Sequence, residues 1–529
     1  MNKNTRSSGI ILHPTSLPGQ DGIGDFGYFA YRWIDFLSST GCDIWQVLPL
    51  GPTGYGDSPY QCFSAFAGNP YLISPALLLE DELLTRSDLL DRPDFPVSSI
   101  DYGTVINWKV KILKQAYTQF KNNKNHPFHQ NFTQFIENEK SWLLDYSMFM
   151  AIKSTMGGKP WNQWSPGLKF RYPDAITQFE KDHSDEIQQV AFSQFLFFAQ
   201  WNNLKTYANK KKIQILGDVP IFVAFDSADV WAHPDLFYLD DEGNPTVVAG
   251  VPPDYFSPTG QLWGNPLYRW DYLKKKDYSW WIERMKATLQ LFDLIRMDHF
   301  RGFAGYWEVP SGMKTAEKGR WVPGPGLDFF NVLNQYIGNM QILAEDLGEI
   351  TPDVIALRDT LGLPGMKILQ FAFSEGPENN FLPHMFDRNC IAYTGTHDND
   401  TTLGWFSSIP PKEVDFTLRY LGCSKEDIVP AMIRAVWGSV ARYAIAPMQD
   451  FLNLDSTARM NYPGRSSGNW CWRMSADDFS RQIEEKIASL NCTFGRGNYR
   501  DIVTKPEPMM IGTIPDLSQE DGDGDREAM

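Results

Sequence analysis

The chain has 529 residues, a formal net charge of −16 and an ordinary globular composition, with 43% hydrophobic and 21% charged residues. A chain of this length can form one large domain with insertions or several ordinary domains. The acidic balance argues against nucleic acid and anionic membrane surfaces as partners. Aromatic residues make up 14% and include 18 tryptophans. Aromatic faces can stack on sugar rings, although a large hydrophobic core also requires many aromatic residues.

The cysteines and the N-terminal sequence indicate the cellular compartment of the protein. No C-x-x-C pair occurs, so we expect reduced thiols rather than disulfides or a zinc site at Cys42, Cys62, Cys390, Cys423, Cys471 and Cys492. No stretch approaches the roughly 18 apolar residues of a membrane-spanning helix, and no signal peptide is visible. We therefore expect a cytoplasmic protein without membrane association. The histidines are not clustered at metal-ligand spacing and no phosphate loop is present, so no metal or organic cofactor is expected.

Short apolar runs of strand length recur along the chain and alternate with helical patterns. Eight of them are centred near residues 10, 45, 215, 294, 343, 368, 392 and 445. Eight strands alternating with helices predict an α/β protein with a (β/α)8 TIM barrel, whose active site lies at the carboxyl ends of the strands. A doubly wound open sheet is the alternative, but it would require a Gly-rich phosphate turn after an early strand.

Two segments interrupt the barrel pattern. Residues 75–205 contain helical stretches and no convincing strand, which predicts a mainly helical insertion between strands 2 and 3. Residues 249–268 are rich in Pro, Gly and aromatic residues, and we expect this loop insertion at the carboxyl-end face to be an active-site lid. Residues 1–506 are assigned to a single catalytic barrel, and the acidic residues 507–529 are expected to form a mobile tail.

The apolar run Phe292–Ile295 leads into two charged residues. Arg296 and Asp298 stand at i and i+2, so both side chains leave an extended backbone on the same face. A neighbouring guanidinium lowers the pKa of an aspartate and keeps it ionised. Nucleophilic attack on a sugar carbon requires such a carboxylate. The alternative is a structural pair that caps the strand, with Asp218 from the third strand as a further partner of the arginine.

Acidic side chains also follow two later strands. Glu345 stands where the fifth strand ends, and His397 and Asp398 follow the seventh. The ends of barrel strands surround one mouth, so these residues should lie near Asp298. Glycosyl transfer requires a carboxylate nucleophile, an acid that protonates the leaving oxygen and groups that hold the sugar hydroxyls. The structural alternatives are a helix N-terminal acid for Glu345 and an N-cap for Asp398.

Six sequence motifs together indicate a family: SPYQ at 58–61, GDVPIFV at 217–223, WGNPLY at 263–268, IRMDHFRGF at 295–303, AEDLG at 344–348 and GTHDND at 395–400. This combination resembles the 4-α-glucanotransferases, also called amylomaltases or disproportionating enzymes. They form glycoside hydrolase family 77 within the α-amylase-like group. The resemblance extends from about Ser8 to about Tyr499 and leaves out only the C-terminal tail.

The resemblance implies transfer of an α-1,4-glucan segment to the 4-hydroxyl of glucose or a maltooligosaccharide, by a retaining double displacement. It implies that Asp298 is the nucleophile, Glu345 the general acid/base and Asp398 the transition-state stabiliser. It further implies that three residues contact the sugar next to the cleaved bond: Arg296, His397 and Asp218. The donor and acceptor subsites would be lined by Tyr60, Gln261, Trp263, Asn265 and Asn469. An α-1,4-glucan hydrolase and a non-catalytic glucan-binding barrel are the alternatives.

Overall fold

The computed structural model describes residues 6–253, 257–465 and 467–503. Over these residues the strands are β1 (Ser7–Ile11), β2 (Ile44–Gln46), β3 (Gln214–Pro220), β4 (Val247–Val251), β5 (Gln261–Pro266), β6 (Leu294–Asp298), β7 (Gly305–Pro310), β8 (Arg320–Pro323), β9 (Ile342–Ala344), β10 (Gly365–Ile368), β11 (Cys390–Tyr393) and β12 (Tyr443–Pro447).

The α-helices in the same ranges are α1 (Tyr28–Thr40), α2 (Pro75–Glu80), α3 (Tyr102–Asn122), α4 (Phe128–Asn138), α5 (Leu143–Thr155), α6 (Pro166–Lys169), α7 (Pro173–Asp182), α8 (Ser184–Lys210), α9 (Ala228–Ala232), α10 (Trp270–Lys275), α11 (Ser279–Leu291), α12 (Gly326–Ile337), α13 (Pro352–Thr360), α14 (Thr402–Ser408), α15 (Pro411–Leu421), α16 (Ile428–Gly438), α17 (Met448–Phe451), α18 (Arg481–Phe494) and α19 (Tyr499–Val503).

A parallel sheet of eight strands forms the centre of the molecule, in the order β10-β11-β12-β1-β2-β3-β6-β9. These are the eight strands expected from the apolar runs, so the (β/α)8 barrel is confirmed. The strands are apolar on both faces because one face fills the barrel and the other meets the helices. Each strand contributes to the interior cluster, which includes Ile11, Ile44, Leu216, Leu294, Leu343, Met366, Ile391 and Tyr443.

A side chain joins the two end strands, β9 and β10, and so closes the barrel. The Ala344 amide donates to the Pro364 carbonyl at 2.9 Å. The Met366 amide donates to Oδ1 of Asp346 at 2.7 Å, and Nη1 of Arg358 donates to Oδ2 at 2.6 Å. The Asp346 carboxylate therefore takes the place of a backbone acceptor between these strands.

The predicted helical insertion is confirmed. Helices α2 to α8 lie between β2 and β3 in the chain. The longest, α8, carries Phe192, Phe195 and Phe198, which pack on rings from α3, α4 and the start of α5. Aromatic residues at i, i+3 and i+6 follow one helical face, which explains why this pattern was readable from the sequence.

The expectation of a loop over 249–268 is wrong for part of that segment. Strands β4 and β5 pair antiparallel and belong to a second sheet, in the order β5-β4-β7-β8. Sequence reasoning missed this sheet because Gly264, with φ of +79°, and Pro266 interrupt the strand pattern of β5. An edge strand tolerates both residues, since one side of its backbone has no neighbouring strand.

Residues 507–529, expected to form a mobile tail, lie outside the described residues. In the part of the chain that the structure describes, none of the helices combines the length and apolar composition needed to cross a bilayer.

Asp346→Ala should destabilise the protein because the buried Met366 amide loses its acceptor and Arg358 loses its buried partner. A loss of about 2–4 kcal/mol is expected, seen as a lower midpoint of thermal unfolding by circular dichroism. Asp359→Ala is a matched control. Asp359 contacts the same guanidinium at 2.7 Å, but 58% of its side chain is exposed, so its loss should cost less than about 1 kcal/mol. Equal effects of the two changes would contradict the closing role of Asp346.

Candidate active site

The barrel strands bring the predicted acidic residues to one end of the sheet. Asp298 is the last residue of β6, Glu345 directly follows β9, and Asp398 lies in the loop after β11. In the ladder between β3 and β6, Asp218 is paired with Arg296. The parallel register therefore places a carboxylate and a guanidinium side by side in neighbouring strands.

Arg296 connects two of the carboxylates. Its Nη2 atom lies 2.7 Å from Oδ2 of Asp218 and 2.7 Å from Oδ1 of Asp298. The Asp218 side chain is fully buried, whereas 27% of the Asp298 side chain is exposed. This burial favours the structural alternative for Asp218, as the partner that holds Arg296. Asp298 remains accessible to a reacting molecule.

Tyr60 joins this pair to a histidine. Its hydroxyl donates to Oδ2 of Asp218 at 2.6 Å and lies 2.9 Å from Nε2 of His397. The Tyr60 and His397 rings stack with centroids 5.2 Å apart. Trp470 packs against both rings, at 5.8 and 5.9 Å. The structure thus unites Tyr60, Asp218 and His397, which the sequence placed in three separate motifs.

Asp398 is held by the segment before Trp470. Asn461 donates its amide to Oδ1 of Asp398 at 2.6 Å, and Arg459 donates to the Asp398 carbonyl at 2.6 Å. The second oxygen, Oδ2, lies 3.4 Å from Nε2 of His397. Asp398 is therefore not an N-cap, because Thr401 fills that position at α14.

Glu345 is fixed by two backbone amides. The amide of His299 donates to Oε2 at 2.7 Å, and the amide of Leu347 donates to Oε1 at 3.0 Å. His299 has φ of 51°, a left-handed conformation that histidine adopts more readily than most residues. This turn directs the amide after Asp298 towards the carboxyl group of Glu345. Glu345 precedes no helix directly, so the helix N-terminal alternative does not hold.

Burial gives two of the carboxyl groups raised pKa values. Burial, reinforced by the charge of Asp298, raises the pKa of Glu345 to about 8. Burial also raises the pKa of Asp298 to about 6, although Arg296 acts to lower it. The expected net lowering at Asp298 is therefore wrong, because desolvation outweighs the guanidinium. At neutral pH Asp298 is still mainly ionised and Glu345 mainly protonated.

The pKa of Asp398 is lowered, in contrast to those of Glu345 and Asp298. The Asp398 side chain is 49% accessible. Desolvation acts to raise the pKa of Asp398, but the charge and hydrogen bond of His397 and the amide of Asn461 outweigh it. The pKa of Asp398 consequently lies well below its usual range. Three neighbouring carboxyl groups thus have three different affinities for a proton.

The remaining predicted residues divide into two pairs. Trp263 packs edge to face on the His299 ring at 4.7 Å, and its indole donates to Oε1 of the exposed Gln261 at 3.2 Å. Asn265 is buried and donates to the Val223 carbonyl at 2.8 Å. Asn469 is also buried, and its amide bonds within the loop that contains it. Strand β5 therefore reaches the site through Trp263, whereas both asparagines support backbone.

Sequence reasoning missed several residues that shape the site: His299, Asn461, Arg459 and Trp470. His299 belongs to the IRMDHFRGF motif, where its position next to Asp298 was a usable signal. Arg459, Asn461 and Trp470 lie more than 60 residues after Asp398, in irregular backbone. No periodic pattern in the sequence marks them. Among the described residues, no group of three or more His, Cys, Asp and Glu side chains is placed to hold a metal ion.

Comparisons with known proteins identify the family of the chain. Residues 12–478 match the family model described as 4-alpha-glucanotransferase. A 4-alpha-glucanotransferase of Thermus thermophilus is 52% identical over 92% of this chain and 98% of its own length, and one of Synechocystis is 49% identical over 93% and 99%. Among solved structures, an amylomaltase from Streptococcus agalactiae in complex with acarbose superposes with a TM-score of 0.91 at 38% identity, covering 93% of this chain and 100% of that one. The chain belongs to the 4-α-glucanotransferase family.

Proposed function

We propose that the chain transfers a segment of an α-1,4-glucan to the 4-hydroxyl of glucose or a maltooligosaccharide by a retaining double displacement. Family membership supports the activity class. The observation that carries the mechanism is the placement of Asp298 and Glu345 at one end of the barrel in different surroundings: Arg296 lies 2.7 Å from Asp298, whereas Glu345 is held by two backbone amides and the charge of Asp298 acts to raise its pKa. Two carboxyl groups whose environments separate their pKa values in this way are suited to different roles.

In the first step, an ionised Asp298 oxygen attacks the anomeric carbon of the donor. The glycosidic carbon–oxygen bond breaks, and the protonated Glu345 gives its proton to the departing oxygen. The product is a glycosyl ester on Asp298, with Glu345 now ionised. The amides of His299 and Leu347, which bond to the two Glu345 oxygens, stabilise that carboxylate until it takes up a proton again.

In the second step, the 4-hydroxyl of an acceptor sugar attacks the same carbon. Its proton passes to Glu345, and the ester bond to Asp298 breaks. Two inversions give net retention of configuration. The acid/base returns to its starting state, so no further proton donor is needed for turnover.

Positive charge develops on the sugar ring in both steps. Asp398, whose pKa lies below its usual range, remains ionised and is proposed to stabilise that charge. His397 is proposed to donate to a hydroxyl of the same sugar. Arg296 orients Asp298 and contacts the sugar, and we propose that the buried Asp218 acts through Arg296 and Tyr60.

The donor and acceptor subsites are proposed to lie along Tyr60, Trp263 and Gln261. Trp263 offers a ring beside His299, and Gln261 is exposed. Asn265 and Asn469 are proposed to shape these subsites through the backbone that they hold. We propose that the β4–β5 hairpin acts as the lid, since it carries Trp263. A covered or occupied site would favour a sugar over water as the acceptor.

We also propose a cytoplasmic location. All six cysteines are free thiols, as is usual in a reducing compartment. We also propose a single catalytic unit over residues 1–506, because residues from Tyr60, after β2, to Asn469, before α18, contribute to one site.

Incubation with maltotriose alone should give glucose together with a ladder of maltotetraose and longer maltooligosaccharides. The acceptor in the second step is then a sugar, so glycosidic bonds are conserved. High-performance anion-exchange chromatography resolves the products. A glucanotransferase leaves the number of reducing ends constant over the early time course. Glucose and maltose with rising reducing ends and no longer products would support the hydrolase instead.

The dependence of kcat/KM on pH should be bell-shaped, with limbs near pH 6 and pH 8. Activity falls below pH 6 as Asp298 takes up a proton and loses its nucleophilic oxygen, and it falls above pH 8 as Glu345 loses the proton that it must donate. Because Asp298 and Glu345 interact, the two apparent pKa values from the limbs belong to the pair as a whole. Initial rates of maltotriose disproportionation from pH 4 to pH 10 measure both limbs.

Glu345→Gln should lower kcat by about 10²–10⁴, because the proton donor is lost, and should remove the alkaline limb. The matched control is Glu485→Gln at an exposed position of α18, where Glu485 pairs only with Arg481 among the described residues. The control should keep the parent rate and both limbs. An alkaline limb that survives in Glu345→Gln would show that another group supplies the proton.

A further inference from the structure

The turns that follow β6 and β9 lie against each other beside the two reacting carboxyl groups. The Phe300 amide donates to the Glu345 carbonyl at 3.0 Å, and the His299 amide donates to Oε2 of Glu345 at 2.7 Å. The other oxygen of the carboxyl group, Oε1, accepts from the Leu347 amide at 3.0 Å. Leu347 belongs to the same turn as Glu345, so the direction of its amide depends on what holds that turn in place.

Arg301 connects the turn after β9 to the second sheet. Its Nη1 atom donates to the carbonyl of Glu349, further along the same turn. Its Nε atom donates to the carbonyl of Gly305, the first residue of β7, at 3.4 Å. Arg301 is only 6% exposed, and a buried guanidinium needs such partners because the desolvation of an unpaired charge is costly. One cation therefore bonds to the backbone of both the turn and the sheet.

Trp321 on β8 sets the plane of that guanidinium. Cζ of Arg301 lies 3.7 Å from the centroid of the Trp321 ring, and this ring packs edge to face on Trp307 of β7 at 5.2 Å. A guanidinium stacked on an aromatic ring keeps its N–H groups in a fixed plane. Burial acts to lower the pKa of Arg301 and the charges of Glu349 and Asp353 oppose this, but arginine stays protonated in proteins. The donor towards Glu349 is therefore fixed in both direction and charge.

We propose that Arg301 is a positioning residue for the acid/base: it holds the turn after β9 so that the Leu347 amide stays directed at Glu345. Arg301 acts through the Glu349 carbonyl and not on the sugar. The Leu347 hydrogen bond favours the ionised form of Glu345, which arises each time the proton passes to the departing oxygen. A turn without this support would lose that bond and displace the carboxyl group from the oxygen that it protonates. The inference rests on the proposed role of Glu345.

The test is the pH profile of maltotriose disproportionation by Arg301→Met, which removes the guanidinium and keeps an unbranched side chain. Displacement of the acid/base should lower kcat about tenfold or more, while KM changes less than about threefold because the sugar contacts remain. The alkaline limb should move up by about half a pH unit or more, since Glu345 holds its proton more firmly without the Leu347 hydrogen bond. The charged groups that act on the pKa of Glu345, Asp298 and Arg296, are unchanged.

Arg301→Lys keeps the positive charge but lacks the planar group that bonds to two carbonyls under the Trp321 ring. It should show a smaller loss of kcat and a smaller shift of the alkaline limb in the same direction. Arg320→Met is the matched control, because Arg320 is the neighbour of Trp321 on β8, pairs with Glu308 and has a side chain that is 76% exposed. This control should keep the parent kcat and the parent limb.

The position of the limb separates positioning from stability, because a smaller folded fraction lowers the rate at every pH and leaves the limb in place. If Arg301→Met does not fold, the shift in Arg301→Lys decides. A limb at the parent pH in the Arg301 variants that fold, the parent kcat in Arg301→Met, or an equal shift in Arg320→Met would overturn the inference. An alkaline limb that survives in Glu345→Gln would instead overturn the assignment of Glu345, and the inference with it.

Discussion

The site depends on one buried guanidinium. Arg296 stands between Asp218 and Asp298, 2.7 Å from each, and the register between β3 and β6 places Arg296 beside Asp218. Without the cation, two carboxylates would face each other in a desolvated barrel mouth, and at least one would take up a proton. Asp218 in turn fixes Tyr60, and Tyr60 fixes His397. The arrangement of the sugar-binding side chains therefore follows from one strand pairing.

The surroundings of the three carboxyl groups then give them different pKa values and therefore different roles. Glu345 is desolvated and feels the negative charge of Asp298, so its pKa is raised and it retains a proton at neutral pH, whereas Asp298 has Arg296 as a counter-charge and ionises. Asp398 gains hydrogen bonds from His397 and Asn461 and remains ionised. An acid, a nucleophile and a stabilising anion thus arise from three carboxyl groups, because their surroundings differ while their chemistry is the same.

Periodicity and topology made much of this predictable. Eight apolar runs predict a barrel, and barrel topology brings strand-end residues such as Asp298 and Glu345 together whatever their separation in the chain. Energetic balances were not predictable: the sequence shows Arg296 beside Asp298 but not the burial that outweighs it. Contacts from irregular backbone, such as that of Asn461 with Asp398, carry no periodic signal. The β4–β5 hairpin was missed because edge strands accept Gly and Pro.

The most direct test of the account is the identity of the residue that carries the sugar during turnover. A fluorinated α-glucosyl donor, which slows the second displacement, should leave a glucosyl ester on the Glu345→Gln enzyme that survives proteolysis at low pH. Peptide mass spectrometry should place this ester on Asp298. A label on Asp398 or on residue 345, or inversion of configuration without any labelled peptide, would contradict the account.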